Sequence, residues 1–242
     1  MPDEPIHQRP RSRWSCCLFA GLSLLAVAIL LVIVTWLSRE WQRSRELAES
    51  EDRWERQVAD VRAGKITRLI WPEPRFLEDF VKNQSDVAAK VTDVRFCGGK
   101  VSDERFGYLK QLPHLEAIDF YEVWEGADSF LSRIAGMGSV TKLSFSKTHL
   151  SEEGVRAVAS FPHLKRLYID YFWKGTSLKP LNGHKSIETL VLEEVPISTA
   201  WIAVMASLPK LKTVIVEDGE ATAAQLQELQ KAAPNVEIQR GK

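Results

Sequence analysis

The sequence predicts an α/β solenoid, with parallel strands on a concave face and helices on the convex face, preceded by a single transmembrane helix. Three observations predict it. An apolar triplet, spaced apolar-x-x-apolar-x-apolar, starts at Ile66, Val91, Leu115, Val140, Leu164, Ile187 and Leu211, with a truncated copy at Val236, at intervals of 25, 24, 25, 24, 23, 24 and 25 residues, and so even a period marks a stacked array. Behind each triplet the apolar spacing changes from that of a strand to that of a helix. Ahead of them all, residues 16–37 run for 22 residues without a charge.

The transmembrane helix comes first in the chain. As a helix, 22 residues reach roughly 33 Å, against a bilayer core about 30 Å thick. A cleaved signal peptide would have a shorter apolar region and a small-residue cleavage site; here Thr35-Trp36-Leu37-Ser38-Arg39 follows. Trp14, Trp36 and Trp41 stand where aromatic residues favour the two membrane interfaces. Arg9, Arg11 and Arg13 make residues 1–15 a short basic head, which by the positive-inside tendency stays in the cytoplasm and puts the repeats on the other side. Cys16 and Cys17 read as small apolar residues at the start of the span, with lipidation at the membrane edge as the alternative.

Residues 38–64 carry many charges and helix formers, no proline, and end at Gly64, as a helix should. Leu47, Trp54 and Val61 fall seven apart and make one narrow apolar seam. The seam has two readings: a spacer helix whose last turns dock on the first repeat, or a short coiled coil forming a weak homodimer.

The repeats fill residues 65–242. Aligned, their openings read ITRLIW, VTDVRF, LEAIDF, VTKLSF, LKRLYI, IETLVL, LKTVIV and a truncated VEI. Positions four and six face one side as in a strand, and two, three, five and seven face the other. In the back halves, residues nine, six and three before the next strand form columns, among them Leu131, Ile134, Met137 and Val155, Val158, Phe161. That spacing is helical, and no single strand and helix buries such a face alone, so the copies must stack. Pro113, Pro162 and Pro209 stop the chain before the next strand.

This pattern, clearest at Leu143-Ser144-Phe145-Ser146-Lys147-Thr148-His149-Leu150, resembles leucine-rich repeats of the ribonuclease-inhibitor-like and cysteine-containing types. The resemblance implies the concave strands and convex helices, and a protein-binding role. It also implies asparagine, cysteine or threonine at the ninth residue, bonding the turn's backbone. Here the ninth residues are Pro74, Gly99, Val123, Thr148, Phe172, Val195 and Gly219, of which only Thr148 fits.

Composition limits the function. Of 242 residues 45% are hydrophobic and 26% charged, enough for a sizeable core. Lysine plus arginine and aspartate plus glutamate both count 32, and residues 1–64 hold nine of each. The balance is local, so nucleic acid is not an expected partner. His114 and His163 occupy one equivalent turn position, and His184 replaces an apolar residue in a helix column, so all three read as scaffold. No nucleophile elbow, phosphate loop or paired metal ligands appear, and neither an enzyme nor a cofactor is expected.

What remains is a surface. The outward positions of the middle strands are Arg95 and Cys97, Asp119 and Tyr121, Ser144 and Ser146, Tyr168 and Asp170. Cys97 reads as a small strand residue. Tyr121 and Tyr168, from strands two copies apart and hence about 10 Å from each other, would flank a shallow serine gap. Trp124, and Trp173 after Tyr171, repeat an aromatic at the tenth residue; these tryptophans either plug the solenoid edge or form an aromatic rim. The expected function is a membrane-anchored module that binds a protein or peptide on the concave face, through Arg95, Asp119, Tyr121, Trp124, Ser144, Ser146, Tyr168, Asp170, Tyr171 and Trp173. The alternative is a structural membrane protein that self-associates through residues 38–64.

Overall fold

A computed structural model describes residues 14–70, 74–101, 103–170, 176–195, 197–217 and 221–241, and among these the side chains of all but 14–30, 43, 47, 74 and 75. The chain divides into two compact units, Met1–Arg53 and Trp54–Lys242. Helix α1 spans Trp14–Arg62. Among the described residues no helix is long and apolar enough to cross a membrane. Most of the expected span, at 16–30, has its side chains outside the described set, as does the head, so that span rests on its sequence. Its described end exposes Leu31, Val32, Ile33, Val34, Trp36 and Leu37, each by 48% to 66%.

In the second unit the last turns of α1 are part of the core. Trp54, Val58 and Val61 are buried, and the Trp54 ring lies 6.0 Å from Phe76 and 5.3 Å from Phe80. Two of the three seam residues are therefore covered within the chain; the Leu47 side chain is outside the described ones. Gly64 takes φ +71, where a side chain would be strained, and Lys65 N–H closes the helix on Asp60 O at 2.9 Å.

The remaining elements are β1 (Arg68–Ile70), α2 (Pro74–Asn83), α3 (Ser85–Ala88), β2 (Asp93–Lys100), a 3-10 helix (Glu104–Gln111), β3 (Ala117–Glu125), α4 (Ala127–Ile134), β4 (Lys142–Ser146) and α5 (Glu152–Ala159). They continue with β5 (Arg166–Ile169), a 3-10 turn (Lys179–Leu181), β6 (Thr189–Glu193), α6 (Thr199–Ser207), β7 (Thr213–Glu217), α7 (Ala223–Ala232) and β8 (Glu237–Arg240). All eight strands form one parallel sheet in chain order. The helical segments touch from copy to copy: α2 meets the first 3-10 helix, which meets α4, and α4, α5, the 3-10 turn, α6 and α7 follow in order. Helices were expected in every back half. Two are 3-10 instead, and both contain helix breakers: Gly107 in one, Pro180 with Gly183 just after in the other.

The strand register aligns the fourth residues of the seven full copies, Leu69, Val94, Ile118, Leu143, Leu167, Leu190 and Val214, with Ile238 of the last. The sixth residues pack beside them. Phe96 stacks on Phe120 at 5.5 Å and Phe120 on Phe145 at 5.0 Å, with Phe106 and Phe130 edge-on. Each such pair contributes about 0.5–1.5 kcal/mol beyond its burial. The last copy is one residue short: Val236 makes the turn bond to Ala233 O that Leu211 makes to Leu208 O, yet Ile238, only two residues on, pairs with Val214.

The turns leaving the strands share a conformation that the sequence does not advertise. The eighth residue has positive φ in every copy where it is described: Gly98 (79), Glu122 (56), Lys147 (50) and Glu194 (52). Three of the four are not glycine, so the stacked frame holds them in a disfavoured region. Thr148 bonds the turn directly: its Oγ1 accepts Val123 N–H at 3.2 Å and donates to Ser146 O at 3.1 Å. A second ladder ties the helix ends: Gly136 N–H donates to Ser160 Oγ at 3.2 Å, and Gly183 N–H to Ser207 Oγ at 3.0 Å.

Candidate functional site

Because positions four and six point into the helices, three, five and seven build the open face of the sheet. Its rows follow from the register. Row five carries Ile70, Arg95, Asp119, Ser144, Tyr168, Val191 and Ile215, and row three carries Arg68, Asp93, Ala117, Lys142, Arg166, Thr189 and Thr213. Row seven runs from Cys97 through Tyr121 to Ser146.

Six of the expected binding residues meet on this face. Arg95 reaches Asp119 with both Nε and a terminal nitrogen at 2.6 Å. Ser144 lies opposite Tyr168, both half-buried, and Ser146 opposite Tyr121, which is 41% exposed. Tyr121 is a row-seven residue and Tyr168 a row-five residue, so they face each other diagonally. Two strand spacings across and two residues along put their Cα atoms about 12 Å apart, further than a straight crossing.

Asp170 is not open as they are. Strand β5 ends at Ile169, and Asp170, the next residue, is 3% exposed and its carboxylate accepts the backbone N–H of Lys147. It anchors the left-handed residue of the preceding copy rather than facing a ligand. Tyr171 and Trp173 lie outside the described residues.

Lys147 organises the upper end of the face. Its Nζ lies 2.8 Å from a Glu122 carboxylate oxygen, 3.4 Å from the Tyr121 hydroxyl and 5.3 Å from the centre of the Tyr121 ring. The Glu122 and Tyr121 hydrogen bonds raise the lysine pKa, and the same lysine lowers that of Glu122. Both side chains are 47% exposed and open to solvent screening, so the pair holds the Tyr121 ring in place more than it stabilises the fold.

Trp124 is 71% exposed, and its ring edge passes 3.7 Å from where a side chain on Gly98 would begin. The ring lies over a bare glycine backbone and fills no core space, which speaks against a plug at the solenoid edge. Cys97, beside it on row seven, is an exposed thiol whose pKa is raised by desolvation, with Arg95 acting the other way. Desolvation thus favours the thiol over the thiolate, the nucleophilic form.

Between rows three and five lies a cleft of about 240 Å³, walled by Arg68, Asp93, Ala117, Asp119, Lys142, Ser144, Arg166 and Tyr168. Lys142 and Arg166 were not singled out as site residues. The signal was present, two cations at the same position of consecutive copies, but each alone reads as a solvated strand residue. Among the described residues no group of three or more histidines, cysteines or carboxylates could hold a metal ion. His184 is half-buried, with Nε2 3.1 Å from Phe161 O and Nδ1 accepting Ser186 N–H at 3.4 Å, and burial lowers its pKa. Its bonds are those of a scaffold residue. No protein-family model matches the chain, and no curated protein matches it.

Proposed function

We propose that this chain is a membrane-anchored leucine-rich-repeat protein that binds an extended protein or peptide segment on the open face of its sheet. One observation carries the reading. Tyr121, Ser144, Ser146 and Tyr168 stand together on a face that no described helix covers, with Trp124 at its rim and a cleft beneath. Rigid aromatic side chains beside small hydroxyl residues have the composition of interface anchors. Among the described residues catalysis has no comparable support: desolvation disfavours the Cys97 thiolate, and the His184 ring is bonded to backbone.

The anchor is proposed at residues 16–37, with the basic head in the cytoplasm and the repeats beyond the membrane. The exposed apolar run Leu31 to Leu37 supports it, since so continuous a strip of apolar side chains is unfavourable in water. Self-association through residues 38–64 has less in its favour, because Trp54 and Val61 are already used in the core.

Photo-crosslinking tests the face. A benzophenone residue placed at Ser146, in the full chain in its own membrane, should form adducts with a partner that the same residue at Gln227, exposed on α7, does not. Adducts at Gln227 and none at Ser146 would move the binding surface to the helices.

A further inference from the structure

We infer that the cleft between Lys142 and Arg166 is a carboxylate subsite, which takes an aspartate or glutamate side chain of the bound peptide. The inference rests on the binding role proposed for this face and specifies the ligand's chemistry.

The charges of the face are unevenly settled. Arg68 is paired with Asp93 at 3.3 Å, and Arg95 with Asp119 at 2.6 Å. Glu188, just before β6, is taken by Lys212 at 2.7 Å. Lys142 and Arg166 are Cα partners across β4 and β5, so two positive groups stem from backbones about 4.8 Å apart. Their row neighbours are Ala117 and Thr189, which offer no charge. Among the described residues neither cation makes a hydrogen bond or ion pair, and both are exposed. Like charges directly opposite each other in a sheet are unfavourable. An anion between them would turn repulsion into two charge-assisted bonds.

The geometry also suits a carboxylate. Ala117 leaves the cleft open beside Lys142, and a guanidinium next to an ammonium fits a carboxylate held in a fork. Ser144 and Tyr168 lie one row away, two residues along the same strands, about 6.6 Å. That is the distance between side chains i and i+2 of an extended peptide. A segment lying along β4 and β5 can therefore pack an apolar residue against Tyr168 and place an acid, two residues away, between the cations.

A phage-displayed library of random dodecapeptides, selected on the full chain in nanodiscs, tests this. Peptides that need Tyr168 should be enriched in an acid two residues from an apolar residue. Their retention should fall about tenfold or more on the Lys142→Gln, Arg166→Gln variant, and fall likewise as salt is raised. Both side chains are exposed, and an unchanged melting temperature confirms that the variant is folded. Peptides that need Tyr168 but bind the double variant equally well would overturn the inference and leave the binding role standing. A selection in which no peptide depends on either tyrosine would overturn both. Retention of phosphatidylserine vesicles through the two cations, with no acid enrichment among peptides, would make the site a lipid contact and also refute it.

Discussion

Thr148 Oγ1 accepts the backbone N–H of Val123, 25 residues upstream and one copy away. The hydroxyl is fully buried and also donates to Ser146 O, so it satisfies two turns at once. Thr148→Val keeps the shape and removes both bonds. It should cost about 1–3 kcal/mol, the penalty for leaving a buried donor unpaired, in chemical denaturation of the full chain in detergent. A change below half a kcal/mol would mean that water replaces the hydroxyl.

Leu167 is fully buried at the fourth position of the central strand β5, paired with Leu143 and Leu190. Leu167→Ala should cost about 2–5 kcal/mol, whereas Lys165→Ala, two residues earlier and exposed, should cost under about 0.5. Equal costs would refute the register.

Gly154 and Gly107 separate a tight contact from an open one. A side chain on Gly154 would begin 2.0 Å from the Asp128 carboxylate, which accepts Ser151 N–H at 3.2 Å to seat the start of α5; at Gly107 nothing lies within 4 Å. Gly154→Ala should destabilise by about 1–3 kcal/mol, and Gly107→Ala should be neutral or stabilising by up to about 1 kcal/mol. Thermal melts of the two variants side by side distinguish them.

How much of this was legible in the sequence depends on what each residue type can signal. The period, the inward fourth and sixth positions and the helix columns were legible because burial demands apolar side chains at fixed spacing. The left-handed eighth residue was not: Gly98, Glu122, Lys147 and Glu194 share a backbone angle and no side-chain chemistry. Asp170 was misplaced for a related reason. A carboxylate at the seventh residue reads as solvated from the sequence, and only the structure shows it buried and accepting the Lys147 N–H. On the open face Tyr121, Ser144, Ser146 and Tyr168 were found by alternation, but Lys142 and Arg166 gained meaning only when the register made them neighbours.

His184 gives the fold a pH dependence with a defined sign. Burial holds its pKa below the ordinary value of about 6.5. Since the folded value lies below the unfolded one, its contribution is complete above about pH 6.5 and is lost as pH falls through the folded pKa. The melting temperature of the wild type should therefore drop more between neutral and acidic pH than that of His184→Leu. Parallel curves would show that the protonated ring keeps its place by donating elsewhere.

The central claim is that binding resides in the open face, at Tyr121 and Tyr168. Both side chains point away from the core, so their loss should spare the fold while removing anchors from the interface. The most direct test is calorimetric titration of a peptide selected from the library into the wild type, Tyr121→Ala and Tyr168→Ala, each paired with a thermal melt. Each substitution should weaken binding by about 1–2 kcal/mol or more with the melting temperature nearly unchanged. Full affinity in both variants, for every peptide the chain selects, would contradict the account.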